Sequence, residues 1–186
     1  MKKFAIAALA AAISFAPAHA STCWKTGAAE AAQVRNFEMM LMVSALRCRT
    51  SSNNFLPAYN RFVLEKRAAL TEVNDALRAH FSEAVGQVNG LGAYDDYVIS
   101  LANSYGAGVN GLICRDLEAL TAAANALPAD RISLLKLTDA AGITPRLNAA
   151  RCSDVAQIAQ AGAPAPVAPQ APAIAMATSA PRGPVE

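Results

Sequence analysis

The feature that most constrains this fold is a run of eight residues without a charge, Met39 to Leu46, followed closely by Cys48. The run is too long for one face of a helix, so a helix that contains it is apolar on every side. Such a helix is usually covered by neighbours around most of its circumference. The sequence therefore predicts a central helix that begins after Thr26 and ends near Thr50.

The rest of the chain up to about residue 160 also shows helical spacing of its apolar residues, without the alternation typical of strands. One long amphipathic helix is predicted from Asn54 to about Phe81, followed by a loose glycine-rich connection at 86–92. Further helices are predicted at about 94–105, 109–127 and 128–142, and a last short segment carries Cys152. The predicted fold class is all-α, a disulfide-stapled helical bundle of four to five helices.

The first 20 residues have the pattern of a secretory signal peptide. Lys2 and Lys3 precede an apolar run at 4–15, and the small residues Ala18 and Ala20 suit a cleavage site. The run is shorter than the roughly 20 residues that cross a bilayer. We therefore predict cleavage after Ala20, a periplasmic or secreted location, and no transmembrane anchor after signal removal.

Charge and composition limit the partners of the mature chain. Loss of residues 1–20 leaves 14 Lys plus Arg against 14 Asp plus Glu, a formal net charge of zero. A neutral chain with interspersed signs lacks the basic surface that binds nucleic acid. Residues 161–186 are rich in proline and alanine and predict a disordered tail, which leaves residues 21–160 as the helical domain.

Four cysteines in an exported chain predict two disulfides. An unbroken first helix places Cys23 and Cys48 about 33 Å apart, whereas a disulfide needs α-carbons within roughly 7 Å. Short loops make successive helices antiparallel, so the helix that carries Cys114 starts at the pole where the first helix ends. We therefore predict the pairs Cys48–Cys114 and Cys23–Cys152.

Two motifs have both a functional and a structural interpretation. Residues 106–111 match the G-x-G-x-x-G dinucleotide fingerprint, but no strand precedes them, so we predict a turn between helices. Arginines beside three of the cysteines could activate a thiol. At the end of the first helix they also complement the helix dipole, and this second interpretation is preferred.

Several single residues are weighed in the same way. Arg35 and Glu38 predict an ion pair at the edge of the core. Asp95 and Asp96 predict the capped start of a helix, and His80 a surface histidine near a helix end. Four aromatic residues suit either a binding surface or the rim of a small core, and the sequence leaves these two alternatives open: Trp24, Tyr94, Tyr97 and Tyr105.

These observations favour an exported, non-enzymatic protein with a structural or protein-interaction role and an unknown protein partner in the cell envelope. The sequence predicts no catalytic residues and no cofactor or metal requirement. The alternative hypothesis is a carrier of a small apolar ligand or of copper. Its pocket would lie against the first helix, at Met39, Met42 and Leu46, because Met39 and Met42 share a helix face and thioether sulfur binds Cu(I). Methionine is also a common core residue.

Overall fold

The computed structural model describes residues 23–161, apart from the side chains of Ala156 and of residues 158–161. The predicted signal peptide, and the predicted tail beyond Ala161, lie outside these residues. Within them the chain forms seven α-helices and no strand: α1 Thr26–Cys48, α2 Leu56–Glu65, α3 Arg67–Val85, α4 Gln87–Ser104, α5 Cys114–Ala126, α6 Arg131–Ala140 and α7 Cys152–Ala161. The predicted all-α, disulfide-stapled bundle is confirmed, with more helices than the predicted four to five.

The central position of α1 is confirmed. It packs against α2, α3, α4, α5 and α6, and most of its residues from Ala29 to Leu41 are buried. Buried apolar side chains on α1 include Val34, Phe37 and Leu41. The other helices can each bury one apolar face because α1 supplies an apolar surface in every direction.

The long second helix of the prediction is divided at Lys66 into α2 and α3. The hydrogen bonds from Lys66 N to Phe62 O and from Leu70 N to Lys66 O continue across the division, so the two helices meet at a kink. Lys66 is only 3% exposed, and its ammonium donates to the carbonyls of Asn125 and Leu127 at the end of α5. Those carbonyls lack helical partners. The kink thus coincides with a buried cation that caps a neighbouring helix.

Residues 87–92 of the glycine-rich segment are helical, which corrects the predicted loose connection. Gly86, at φ 84°, is the single residue between the end of α3 and the start of α4. Gly90 is buried against the backbone of Ser82, where a Cβ would lie 2.7 Å from Ser82 Cα. The glycine therefore allows close approach of α3 and α4, which form the most extensive helix pair. Asp95 and Asp96 consequently lie inside α4, exposed, and do not cap its start.

Two disulfides fasten the bundle, Cys48–Cys114 and Cys23–Cys152, and these are the pairs that the antiparallel path of the helices predicts. Cys48 ends α1 and Cys114 begins α5. Beside the second disulfide, Trp24 N donates to Ala150 O at 2.9 Å and Cys152 N donates to Trp24 O at 3.0 Å. Both ends of the described chain are thereby held together.

Candidate functional site

One face of α1 carries buried polar side chains that fix distant segments. Gln33 Nε2 donates to Thr138 Oγ1 at 3.0 Å and to Asp139 Oδ1 at 2.6 Å. Asn36 Nδ2 donates to Thr144 O at 2.8 Å, and its Oδ1 accepts from the Tyr105 hydroxyl at 2.7 Å. Buried polar groups need such partners, so these bonds fix how α6 and the end of α4 lie against α1.

The opposite face of α1 carries a buried ion pair. Arg35 Nη1 and Glu38 Oε2 are 2.5 Å apart, and both side chains are less than a tenth exposed. The predicted pair is therefore confirmed, but it lies inside the core, not at its edge. Tyr59 OH donates to Glu38 Oε1 at 2.9 Å, and Arg35 Nη2 donates to Tyr94 OH at 3.0 Å. Burial, followed by the charge of Glu38, raises the pKa of Tyr59.

An aromatic cluster lies at the Cys23–Cys152 disulfide, beside the N-terminal end of α1. Trp24 is fully buried, stacks on His80 with ring centroids 3.9 Å apart, and meets the edge of Phe81. Tyr97 packs against both Trp24 and Phe81. The four aromatic residues that the sequence assigned to either a core or a binding surface are buried. Their polar groups donate hydrogen bonds: Trp24 Nε1 to Asn148 Oδ1, Tyr94 OH to Asn74 Oδ1, Tyr97 OH to Arg146 O and Tyr105 OH to Asn36 Oδ1.

His80 is not the predicted surface histidine, since it is only 9% exposed. Helix α3 continues past His80 to Val85, and the His80 ring stacks on Trp24 instead of facing solvent. Burial lowers the pKa of His80, while Glu83 partly opposes the shift. A sequence signal existed: His80 follows the buried Leu77 by three residues and Val73 by seven, which is the core face of α3.

A cleft of about 470 Å³ opens between α3 and α4 beside this cluster; we call it the hairpin cleft. Its lining includes His80, Phe81, Val85, Asp96, Tyr97 and Asn148. Three exposed apolar side chains lie where α3 turns into α4: Val85, which also lines the cleft, is 45% exposed, Val88 94% and Leu91 55%. We name these three residues the hairpin patch. Asp95 and Asp96 are exposed on the same helix as Val88 and Leu91.

A second cleft, of about 350 Å³, lies at the other end of α1 and is named the disulfide cleft. Its lining includes Ser44, Arg47, the Cys48–Cys114 disulfide, Ile113 and Leu117, together with the loop at 107–110. The Arg47 guanidinium donates through Nη1 to Gly106 O. The loop contains the G-x-G-x-x-G match, and it joins α4 to α5 as a turn between helices, as predicted.

The residues of the predicted apolar or copper pocket have unlike environments. Met39 is buried, Met42 is half-buried, and Leu46 is 49% exposed. The hairpin and disulfide clefts have other linings. The carrier hypothesis at Met39, Met42 and Leu46 stays a prediction, which a Cu(I) titration tests. All four cysteines are paired, with no free thiol in residues 23–161, so the flanking arginines have no thiolate to stabilise.

No family model, curated protein or solved structure matches this chain. Across residues 23–161 no group of three or more His, Cys, Asp or Glu side chains is placed to hold a metal ion. None of the helices described has the length and apolar character required to cross a membrane. We take the hairpin cleft with its patch, and the disulfide cleft, as the candidate sites.

Proposed function

We propose that the protein is an exported, non-enzymatic binding protein that acts on a protein partner of the cell envelope through the hairpin patch. The observation that carries this proposal is the placement of Val85, Val88 and Leu91 together at one end of the α3–α4 pair, next to an open cleft. Single exposed apolar residues are ordinary, whereas neighbouring ones beside a cleft are typical of interaction sites.

The surroundings of the patch specify the partner's chemistry. The hairpin cleft has an aromatic floor, Phe81 and Tyr97, on which an apolar anchor side chain of a partner could pack. Asp95 and Asp96 are exposed near the patch and form no ion pair within residues 23–161. Charges at the rim of an interface select complementary partners. The partner surface therefore combines an apolar anchor with basic residues.

Compartment and rigidity agree with this role. Two disulfides form and persist in oxidising compartments such as the periplasm. The close contact of Gly90 with Ser82 holds the first turns of α4 against α3, so the patch is presented on a preorganised surface. Preorganisation lowers the entropy cost of association.

A photo-activated cross-linking amino acid tests the proposal in the native host. Placed at Val88, it should give one discrete adduct with another protein, and the added substitution Leu91→Asp should remove that adduct. The matched control is Ile132, which is 60% exposed on α6. The same adducts from both positions, or an adduct of two copies of this chain, would contradict the proposal.

A further inference from the structure

The disulfide cleft contains a polar group for which the fold supplies no partner. Ser44 lines the cleft and is 2% exposed, and its Oγ makes no hydrogen bond. Burial of a hydroxyl without a hydrogen bond costs free energy, because its bonds to water are lost and not replaced. An atom of that kind at the base of a cleft marks a place where a bound molecule could supply the missing bond.

Ser44 is unlike the other buried polar residues on the same face of α1, because their side chains form hydrogen bonds and its hydroxyl does not. Gln33 and Asn36 lie on this face and are also buried, and each is bonded to a distant segment. Ser44 follows Gln33 by about three turns and Asn36 by about two, and it lines the cleft together with the loop at 107–110. The polar residues on this face thus anchor the fold except at the position that lines the cleft.

A cation lies at the same cleft, one turn further along α1. Arg47 is exposed and uses Nη1 to hold Gly106 O, but a guanidinium has five N–H donors, so donors remain. Within residues 23–161 the ion pairs involve other cations, and no carboxylate neutralises Arg47. Arginine with free donors is well suited to bind a carboxylate.

The remaining walls are apolar. Ile113 and Leu117 line the cleft beside the Cys48–Cys114 disulfide. Its volume of about 350 Å³ falls within the range of small-molecule sites. We propose that the disulfide cleft binds a small organic acid. The carboxylate accepts hydrogen bonds from Arg47 and, once rotation about χ1 turns the buried hydroxyl toward the cleft, from Ser44 Oγ. The apolar body packs on Ile113, Leu117 and the disulfide.

This site is independent of the proposed partner surface. The disulfide cleft lies at the C-terminal end of α1, whereas the hairpin cleft adjoins Trp24 near its N-terminal end. The 23 residues of α1 place these ends roughly 33 Å apart. Failure of either proposal leaves the other intact.

The test uses octanoate as the probe and the ¹⁵N-labelled, oxidised mature chain. Titration should shift the amide resonances of Gly108 and Asn110, and 1-octanol, which has the same chain length without the charge, should bind at least about tenfold more weakly. Absence of shifts in this loop at millimolar octanoate, or equal binding of octanol, would refute the proposal. Both outcomes are measured on the unsubstituted chain, so they do not depend on whether a variant folds.

Matched arginine variants locate the anion. Arg47→Gln should weaken octanoate binding by about tenfold or more. Arg49→Gln removes the same charge from an exposed residue two positions away that does not line the cleft, and should leave affinity within about twofold. Ser44→Ala should weaken binding several-fold. Equal effects of the two arginine variants would overturn the assignment.

Discussion

Replacement of Gly90 by alanine is the most direct test of how α3 and α4 are held together. An alanine Cβ at this position would lie 2.6 Å from Ser82 Oγ, 2.7 Å from Ser82 Cα and 2.9 Å from Ser82 N. The hydroxyl could rotate away, but Cα and N belong to the backbone of α3. Since carbon contacts are favourable at roughly 3.5–4.0 Å, the helices would have to separate by about 1 Å.

The magnitude follows from a comparison with Gly92, which lies on the same helix. An added Cβ at Gly92 meets nothing within 4 Å. Both substitutions gain the helix propensity of alanine, about 0.8–1 kcal/mol. That gain cancels between the variants, so their difference reports the overpacking cost alone, about 1–3 kcal/mol. We expect Gly92→Ala to stabilise the protein and Gly90→Ala to be less stable than Gly92→Ala by about 1–3 kcal/mol, which after the propensity gain leaves Gly90→Ala up to about 2 kcal/mol less stable than the unsubstituted protein.

Urea denaturation of the oxidised proteins, followed by circular dichroism, measures both free energies of unfolding. A Gly90→Ala variant as stable as Gly92→Ala would show that α3 and α4 do not depend on this contact. The cross-linking experiment provides a second readout, because separation of the helices moves Val88 relative to Val85. Gly92→Ala should leave the adduct unchanged.

Three further predictions concern the buried ionisable side chains. Glu38→Gln should cost about 3–5 kcal/mol in the free energy of unfolding because it leaves the buried Arg35 without its carboxylate. The double variant Arg35→Met, Glu38→Gln should cost less than the sum of the single variants Arg35→Met and Glu38→Gln, and additive effects in urea denaturation would refute the coupling. Lys66→Met should cost about 2 kcal/mol because it leaves the part-buried carbonyls of Asn125 and Leu127 without their donor. The exposed Lys136→Met should cost less than about 0.5 kcal/mol, and equal losses would contradict this. Because burial lowers the pKa of His80, the unfolded state binds the proton more tightly, so stability is fully present above the ordinary pKa of 6.5 and falls as pH drops toward the folded pKa. His80→Gln should flatten that part of the stability profile, and an unchanged profile would exclude His80 as its source.

Much of the local structure could be predicted from neighbouring residues. The apolar run from Met39 to Leu46 indicated a central helix, because a helix without a polar face has to be covered on all sides. The same helix was long enough to exclude the pair Cys23–Cys48, which limited the disulfides to the remaining connectivities. Periodicity and spacing are properties of a segment and can be read from it.

The candidate sites depended on partners that are distant in sequence. The spacing of His80 from Leu77 indicates the core face of α3, but its stacking partner Trp24 lies 56 positions earlier and cannot be identified from neighbouring residues. Neither cleft was predicted, and the exposure of Val88 follows from the continuation of α4 back to Gln87. Segment 86–92 looked like a loop because its glycines are poor helix formers, yet packing of Gly90 on Ser82 outweighs that preference.

The sequence alone determined that the chain forms helices, that one helix is central, and which cysteines can pair, because these follow from periodicity, rise per residue and the short reach of a disulfide. Tertiary structure alone decided which polar groups are satisfied. Arg35 donates to Tyr94, Lys66 donates to carbonyls at the end of α5, and Ser44 Oγ has no partner. The reason is physical: a hydrogen bond requires a donor and an acceptor within about 3 Å, and only the folded chain brings distant residues that close.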